Sequence, residues 1–238
     1  MALIICPICY DSFSVVKNGS CSSGKQKYFC KDCQKYFVLN PENRTISDDT
    51  KKLIDDLLLE KIPLAGIVRV THVSKRWMQY YANDKYENVQ RIVIVTGKAK
   101  GKLTVECDEM WSFVKNSTNK VWIWLAEDVK TREIVGVSAG SRDEKGAQGL
   151  WDSPPGVYRQ CAVAYTDFRS SYKTVFPKGR HRAVGKESGL TNSIERFNCT
   201  MRRRISRLVR KTLSFSKKPA NHIGAIWNFV HHYNASLA

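Results

Sequence analysis

Between Leu103 and Asp108 apolar and polar residues alternate, with Leu103, Val105 and Cys107 set against Thr104, Glu106 and Asp108. A period of two is the mark of a half-buried strand, because successive side chains leave opposite faces of a sheet. The same pattern predicts strands over 121–125, 133–138 and 161–167, with turns at 115–119 and 128–131. A helix is expected over 143–151, ended by Pro154 and Pro155, and another begins at 168–171. Upstream the period is helical. Leu53, Ile54, Leu57 and Leu58 share a face behind Ser47 as N-cap, Pro63 suits the first turn of a second helix to about Val70, and Ser74 caps a third.

Three hairpin-linked strands, a helix and a strand ending in Asp167 follow the order of a ribonuclease-H-like fold. Its mixed sheet would set Asp108 and Asp167 on neighbouring strands. The short helices before it, with a tight turn at 71–72 and a basic, aromatic third member, resemble a helix-turn-helix. In that motif the last helix enters the major groove. Ser74, Lys75, Arg76 and Gln79 would then face DNA, with Trp77 and Tyr80 or Tyr81 in the small core. The alternative is an ordinary helical linker.

Charge narrows the class of partner. Lys+Arg 39 against Asp+Glu 22 gives a formal net charge of +17, which points to a polyanion and first of all to nucleic acid. No apolar run approaches a membrane span and no signal peptide opens the chain, so a cytosolic protein without membrane partners is expected. In a reducing compartment eight cysteines argue for metal binding or plain burial rather than disulfides.

Four of those cysteines form two C-x2-C pairs, Cys6 with Cys9 and Cys30 with Cys33, at the spacing of a zinc ribbon. Gly19 and Gly24 supply turns between them, and Tyr28, Phe29, Tyr36 and Phe37 can surround the metal. So short a segment has little core, so the metal would contribute folding energy directly. Lys17, Lys25, Lys27, Lys31 and Lys35 leave the ribbon basic; Cys21 has no assigned role. The chain therefore reads as a multidomain α+β protein. A zinc ribbon spans 1–44, a helix-turn-helix 45–98, and a ribonuclease-H-like mixed α/β catalytic domain 99–238, with basic helices at its end.

Glu106, Asp108 and Glu109 crowd three acids together, which suits a divalent cation on oxygen ligands or, alternatively, a solvated strand face. Asp167 can be a ligand or a turn residue. Glu195 can be a ligand or the acid of a capping box with Asn192. Beyond Glu195 no acid occurs, while Arg196, Arg202, Arg203, Arg204, Arg207, Arg210, Lys211, Lys217 and Lys218 follow. Such a run suits contacts to phosphate. Asn198 and Arg202, at i+3 and i+7 from Glu195, share its helix face and are placed to hold a scissile strand.

These blocks together resemble the DDE transposases of the first-described bacterial insertion-sequence family, insertion sequence one. The resemblance rests on the cysteine pairs, the helix-turn-helix, Glu106 to Trp111, Thr166-Asp167, Ile194 to Asn198, the Arg-rich helix, Leu213 to Lys217, and His222. It implies an acid triad of Asp108, Asp167 and Glu195 holding two Mg²⁺ or Mn²⁺ ions, with Arg202 as the basic residue two helical turns on. It further implies 3′-end nicking at terminal inverted repeats and strand transfer into target DNA. The ions would lie about 3.5–4 Å apart. A homodimer or higher oligomer on double-stranded DNA would follow, in the prokaryotic cytoplasm and associated with chromosome or plasmids. Glu106, Glu109 and His222 carry no assigned role. The rivals are a ribonuclease-H-like nuclease that only hydrolyses and a domesticated DNA-binding regulator.

Overall fold

The computed structural model describes residues 4–41, 45–208 and 216–237. It divides into two compact units, Met1–Ser47 and Asp48–Ala238.

In the first unit β1 (Val15–Ser20), β2 (Gln26–Cys30) and β3 (Lys35–Val38) form an antiparallel sheet in that order. Gly24, at φ +79°, closes the first turn through its amide to the Cys21 carbonyl. Tyr28 stacks on Phe37 at 5.6 Å and Phe29 meets Tyr36 at 4.7 Å across β2 and β3. Among the described residues of this unit only Cys6, Tyr28 and Cys30 are buried, too little apolar surface to hold it by packing alone.

The second unit opens with α1 (Asp48–Leu58), α2 (Leu64–Thr71) and α3 (Lys75–Asn88). Pro63 is the N-cap of α2, one residue before the helix begins. His72 ends it in the left-handed region at φ 56°. Ser74 caps α3, its hydroxyl accepting from the Trp77 amide at 3.2 Å. The stripe of α3 that faces inward is Met78, Ala82 and Tyr86, at i, i+4 and i+8. Trp77 and Tyr81, one position round the helix, stack on each other at 4.9 Å and are half-buried, while Tyr80 is exposed.

Among the described residues a five-stranded sheet then follows in the order β6-β5-β4-β7-β8. Its strands are β4 (Leu103–Phe113), β5 (Lys120–Asp128), β6 (Ile134–Gly140), β7 (Ala162–Thr166) and β8 (His181–Ala183). β4, β5 and β6 are antiparallel hairpin partners, whereas β4 with β7 and β7 with β8 are parallel. Glu106 pairs with Tyr165, so two residues further along the same register Asp108 lies level with Asp167.

Helices cover both faces. On one, α4 (Glu144–Asp152), α5 (Gly156–Cys161) and α6 (Ser170–Val175) lie against a core of Val105, Cys107, Trp124, Leu150, Tyr158 and Tyr172. On the other lie α7 (Asn192–Arg204) and α8 (Pro219–Ala235), burying Ile194, Phe197, Met201, Ile226 and Phe229. Because side chains alternate along β4, Glu106 and Asp108 share a face of the strand while Cys107 and Glu109 take the other. α3 crosses α8 so closely that a Cβ on Gly224 would overlap the Tyr86 carbonyl. Among the described residues no helix is long and apolar enough to cross a membrane.

Candidate functional site: a cysteine cluster and an acid cleft

Cys6 and Cys9 precede β1; Cys30 ends β2 and Cys33 sits in the turn after it. The sulfurs of Cys6 and Cys33 are 3.7 Å apart, those of Cys9 and Cys30 3.5 Å, and all four lie within 4.8 Å of one another. A tetrahedron of 2.3 Å metal–sulfur bonds has edges of about 3.8 Å. The four thiols therefore fit one tetrahedral ion, and they are free of disulfides. Cys21 stands apart, hydrogen-bonded to the Ser23 hydroxyl at 2.9 Å.

The second site lies in the other unit. Asp108 from β4, Asp167 just past β7, Lys186, and Glu195, Asn198 and Arg202 from α7 line one cleft of about 360 Å³. Asn198 donates its side-chain amide to Asp108 Oδ2 at 2.7 Å. Burial pushes the Asp108 carboxyl up to about 7, the negative charges of Glu109 and Glu195 add to the effect, and the Asn198 bond opposes it. Asp167 accepts from the Arg169 amide at 3.1 Å and so also shapes its own turn. Asn198 Oδ1 is buried without a hydrogen-bond partner among the described residues. Three carboxylates and an orphaned amide oxygen are a hard-oxygen donor set of the kind that Mg²⁺ or Mn²⁺ takes. The cleft is looser than the cysteine site: among the described residues only the four sulfurs gather within 4.8 Å.

The capping-box alternative for Glu195 does not match the helix start. Glu195 N–H to the Thr191 carbonyl, 3.1 Å, is the first full helical bond, which makes Thr191 and not Asn192 the N-cap. Glu195 is then one residue too far along to reach back as a box acid. Its cap-side contact among the described residues is the Thr191 hydroxyl at 3.4 Å.

Both acids beside Asp108 are buried and have partners. Glu109 lies 2.5 Å from Arg169, accepts from Arg142 at 3.1 and 3.2 Å, and accepts from the Tyr172 hydroxyl at 3.1 Å. Glu106 accepts from two backbone amides at the start of α7. Its partners lie 87 and 88 residues on, so no local pattern announces them. Glu127, also buried, accepts from the Ser193 hydroxyl at 2.7 Å.

The cations divide by what already engages them. Lys75, Arg76 and Gln79 are exposed on α3, while the Ser74 hydroxyl is committed to its cap. Arg203 is exposed, and Arg196 borders a separate pocket of about 200 Å³ with Arg132. Arg204 pairs with Glu60 at 2.6 Å and lies over Phe229, and Arg207 lies over the Tyr86 ring at 5.6 Å. Arg210 and Lys211, with residues 213–215, fall outside the described residues. His222 is fully buried in α8, and burial drives its imidazole down to about 4, so it is neutral near pH 7. It does not line the acid cleft.

A family model described as IS1 transposase matches residues 102–234, more than half of the chain. The matched segment holds Asp108, Asp167, Glu195, Asn198 and Arg202. The Shigella dysenteriae insertion element iso-IS1n protein InsB is 34% identical over 130 residues, covering 54% of this chain and 94% of that protein. The insertion element IS1 protein InsB of Shigella flexneri is 30% identical over 130 residues, 54% of this chain and 95% of that protein. The Escherichia coli K12 insertion element IS1 4 protein InsB is 30% identical over 132 residues, 54% of this chain and 75% of that protein.

Proposed function

Since the chain belongs to the IS1 transposase family, we propose that it is a DDE transposase that binds the terminal inverted repeats of an insertion sequence, nicks their 3′ ends and joins them to target DNA. The observation that carries this reading is the single cleft shared by Asp108, Asp167 and Glu195, three acids from three separate elements. The sheet order β6-β5-β4-β7-β8, with helices on both faces, supports a ribonuclease-H-like catalytic core.

In this reading Asp108, Asp167 and Glu195 would hold Mg²⁺ or Mn²⁺, which when bound supplies Lewis-acid activation of the attacking water in nicking or 3′-hydroxyl in strand transfer, and of the phosphate. Asn198 steadies Asp108 through its 2.7 Å bond. Arg202 and Lys186, on the cleft wall, neutralise phosphate oxygens and hold the scissile strand in line. Arg142 and Arg169 are committed to Glu109, so their role is to keep that buried charge compensated. Lys75, Arg76 and Gln79 on α3 read the repeat in the major groove as the last helix of a helix-turn-helix. Arg196 and Arg203 track the backbone, and Zn²⁺ on Cys6, Cys9, Cys30 and Cys33 folds a ribbon that adds contacts to the same DNA. Two element ends must be brought together for strand transfer, so the working form is a homodimer or larger.

The test is a duplex carrying an element end, incubated with Mg²⁺ and full-length protein. Asp108→Asn, Asp167→Asn and Glu195→Gln should each abolish nicking and strand transfer while end binding persists, and their losses should not add. A Glu195→Gln variant that transposes normally would sink the assignment. Nicks without joined strands from the wild type would favour a hydrolase.

A further inference from the structure

Glu106 on β4 stands directly opposite Glu127 on β5, and both are buried, at 6% and 1% exposure. Two facing carboxylates removed from water repel each other and need compensation. It comes largely from α7. Glu106 Oε2 accepts from the Ser193 amide at 3.0 Å and the Ile194 amide at 3.2 Å. These are two of the amides that a helix start leaves without partners, at the end where the helix dipole favours negative charge. Glu127 takes the Ser193 hydroxyl, and the Arg132 guanidinium lies 3.5 Å from Glu127 and 4.0 Å from Glu106. The side chain of Thr191, the helix's own N-cap, makes no capping bond. The helix is capped by the sheet instead of by its own sequence.

From this clamp we infer that Glu106, supported by Glu127 and Arg132, is a positioning residue that sets the spacing between Glu195 and Asp108. The inference rests on the reading of the cleft as a metal-dependent DNA-processing centre. Glu106 lies two residues before Asp108 on the same strand face, and Glu195 follows Ile194 directly. The path from one acid to the other thus runs through a short piece of β4, two hydrogen bonds and a single residue of α7. α7 has a second fastening, Asn198 on Asp108, but that bond uses an oxygen of the ligand itself. Glu106 fixes the helix and leaves every cleft oxygen free. Tolerances are narrow here: a displacement of about 1 Å can cost on the order of 10²-fold in rate.

The experiment uses full-length wild type, Glu106→Ala, Glu106→Gln and Asp108→Asn. It measures the Mn²⁺ concentration for half-maximal nicking, Mn²⁺ binding by electron paramagnetic resonance, and amide exchange over 192–198. Glu106→Ala should raise the Mn²⁺ requirement by about 10–100-fold, the range seen when residues behind metal ligands are lost. It should also speed exchange over 192–198 while affinity for the DNA end is unchanged. Glu106→Gln keeps an acceptor oxygen for the same amides and should recover most of the loss. A purely structural residue would lower the amount of folded protein and leave the Mn²⁺ requirement of the folded fraction as it was. A folded Glu106→Ala with the wild-type requirement overturns the inference. Should Glu106→Ala not fold, Glu106→Asp, whose carboxylate is one methylene too short to reach the Ser193 and Ile194 amides, is measured the same way, and an unchanged requirement overturns it equally. If wild-type Mn²⁺ binding is indifferent to Asp108→Asn, the reading of the cleft itself fails and the clamp inference falls with it.

Discussion

At Glu133 burial opposes the charge, yet the Thr96 amide at 2.7 Å, the Thr96 hydroxyl at 2.6 Å, the Thr131 hydroxyl at 2.8 Å and Lys98 at 3.3 Å outweigh it. They hold the carboxyl down at about 2, against an ordinary 4.5. A carboxyl depressed on folding stabilises the fold above its unfolded value and stops doing so as pH falls through its folded value. Glu133→Gln should therefore cost about 1–2 kcal/mol near neutrality, since solvent screens part of the effect. The gap from wild type should close between pH 4.5 and about 2, which urea melts at stepped pH would show. An equal gap at both ends of that window would mean that the charge is not what matters. Nothing in the alternation of nearby residues foretells this role, because Thr96 and Lys98, unlike Thr131, arrive from a loop far upstream in the chain. Asp108 differs: the Leu103–Asp108 alternation gave the strand and the face, but it implied a strand ending near that acid, whereas β4 runs on past it to Phe113. The period also put Glu106 on the same face, but could not say that its partners would be the amides of α7. Asn192 and Glu195 have the spacing of a capping box, and the Thr191 carbonyl, by accepting the first helical bond, moves the cap one residue earlier.

Long elements with clean periods were legible, and short or mixed ones were not. β5, β6, α4 and β7 lie within a few residues of where the pattern put them, while β4 begins where expected and runs on to Phe113. α5 is a six-residue turn of helix between Pro155 and a strand, and β8 has three residues, too few for any period to register. α8 was hidden differently. It buries Asn221, His222, Gly224 and Asn234 along with Trp227 and Phe229, so polar residues interrupt its apolar face. Asn234 explains part of that cost: its side chain bonds both the amide and the carbonyl of Ile134, at 2.8 and 2.9 Å, at the start of the edge strand β6. Gly224 explains another part, since only hydrogen fits against the Tyr86 backbone. Gly224→Ala is expected to force α3 away from α8 and to cost about 1–3 kcal/mol, the usual range for overpacking. Thermal melting gives the loss, and faster amide exchange in α3 and α8 gives its location. A variant that melts like wild type would mean the two helices have room to spare.

At the scale of the whole chain, the net charge of +17 points to a polyanionic partner, and the cysteine spacing foretold the four-sulfur cluster that the structure shows. The two compact units make separate stability predictions. Cys30→Ser, or a strong chelator, should unfold Met1–Ser47, because so few of its described residues are buried. Melting of Asp48–Ala238 should stay unchanged. Zinc content by atomic absorption and two-probe melting check both halves of this statement, and a metal-free ribbon that stays folded would refute it. α3, by contrast, is fused through Gly224 to the body that carries the acids. Under the proposed function that crossing makes the protein a measuring gauge: the interval from the bases touched by Lys75 and Arg76 to the phosphate at Asp108 is counted in protein, not in tether. One base pair inserted between the recognised bases and the element end should leave the nick at its old distance from those bases, now one nucleotide inside the terminus. Five inserted pairs should turn the terminus about half a helical turn round the duplex, and cleavage should again keep its old distance from the recognised bases, now five nucleotides inside the terminus.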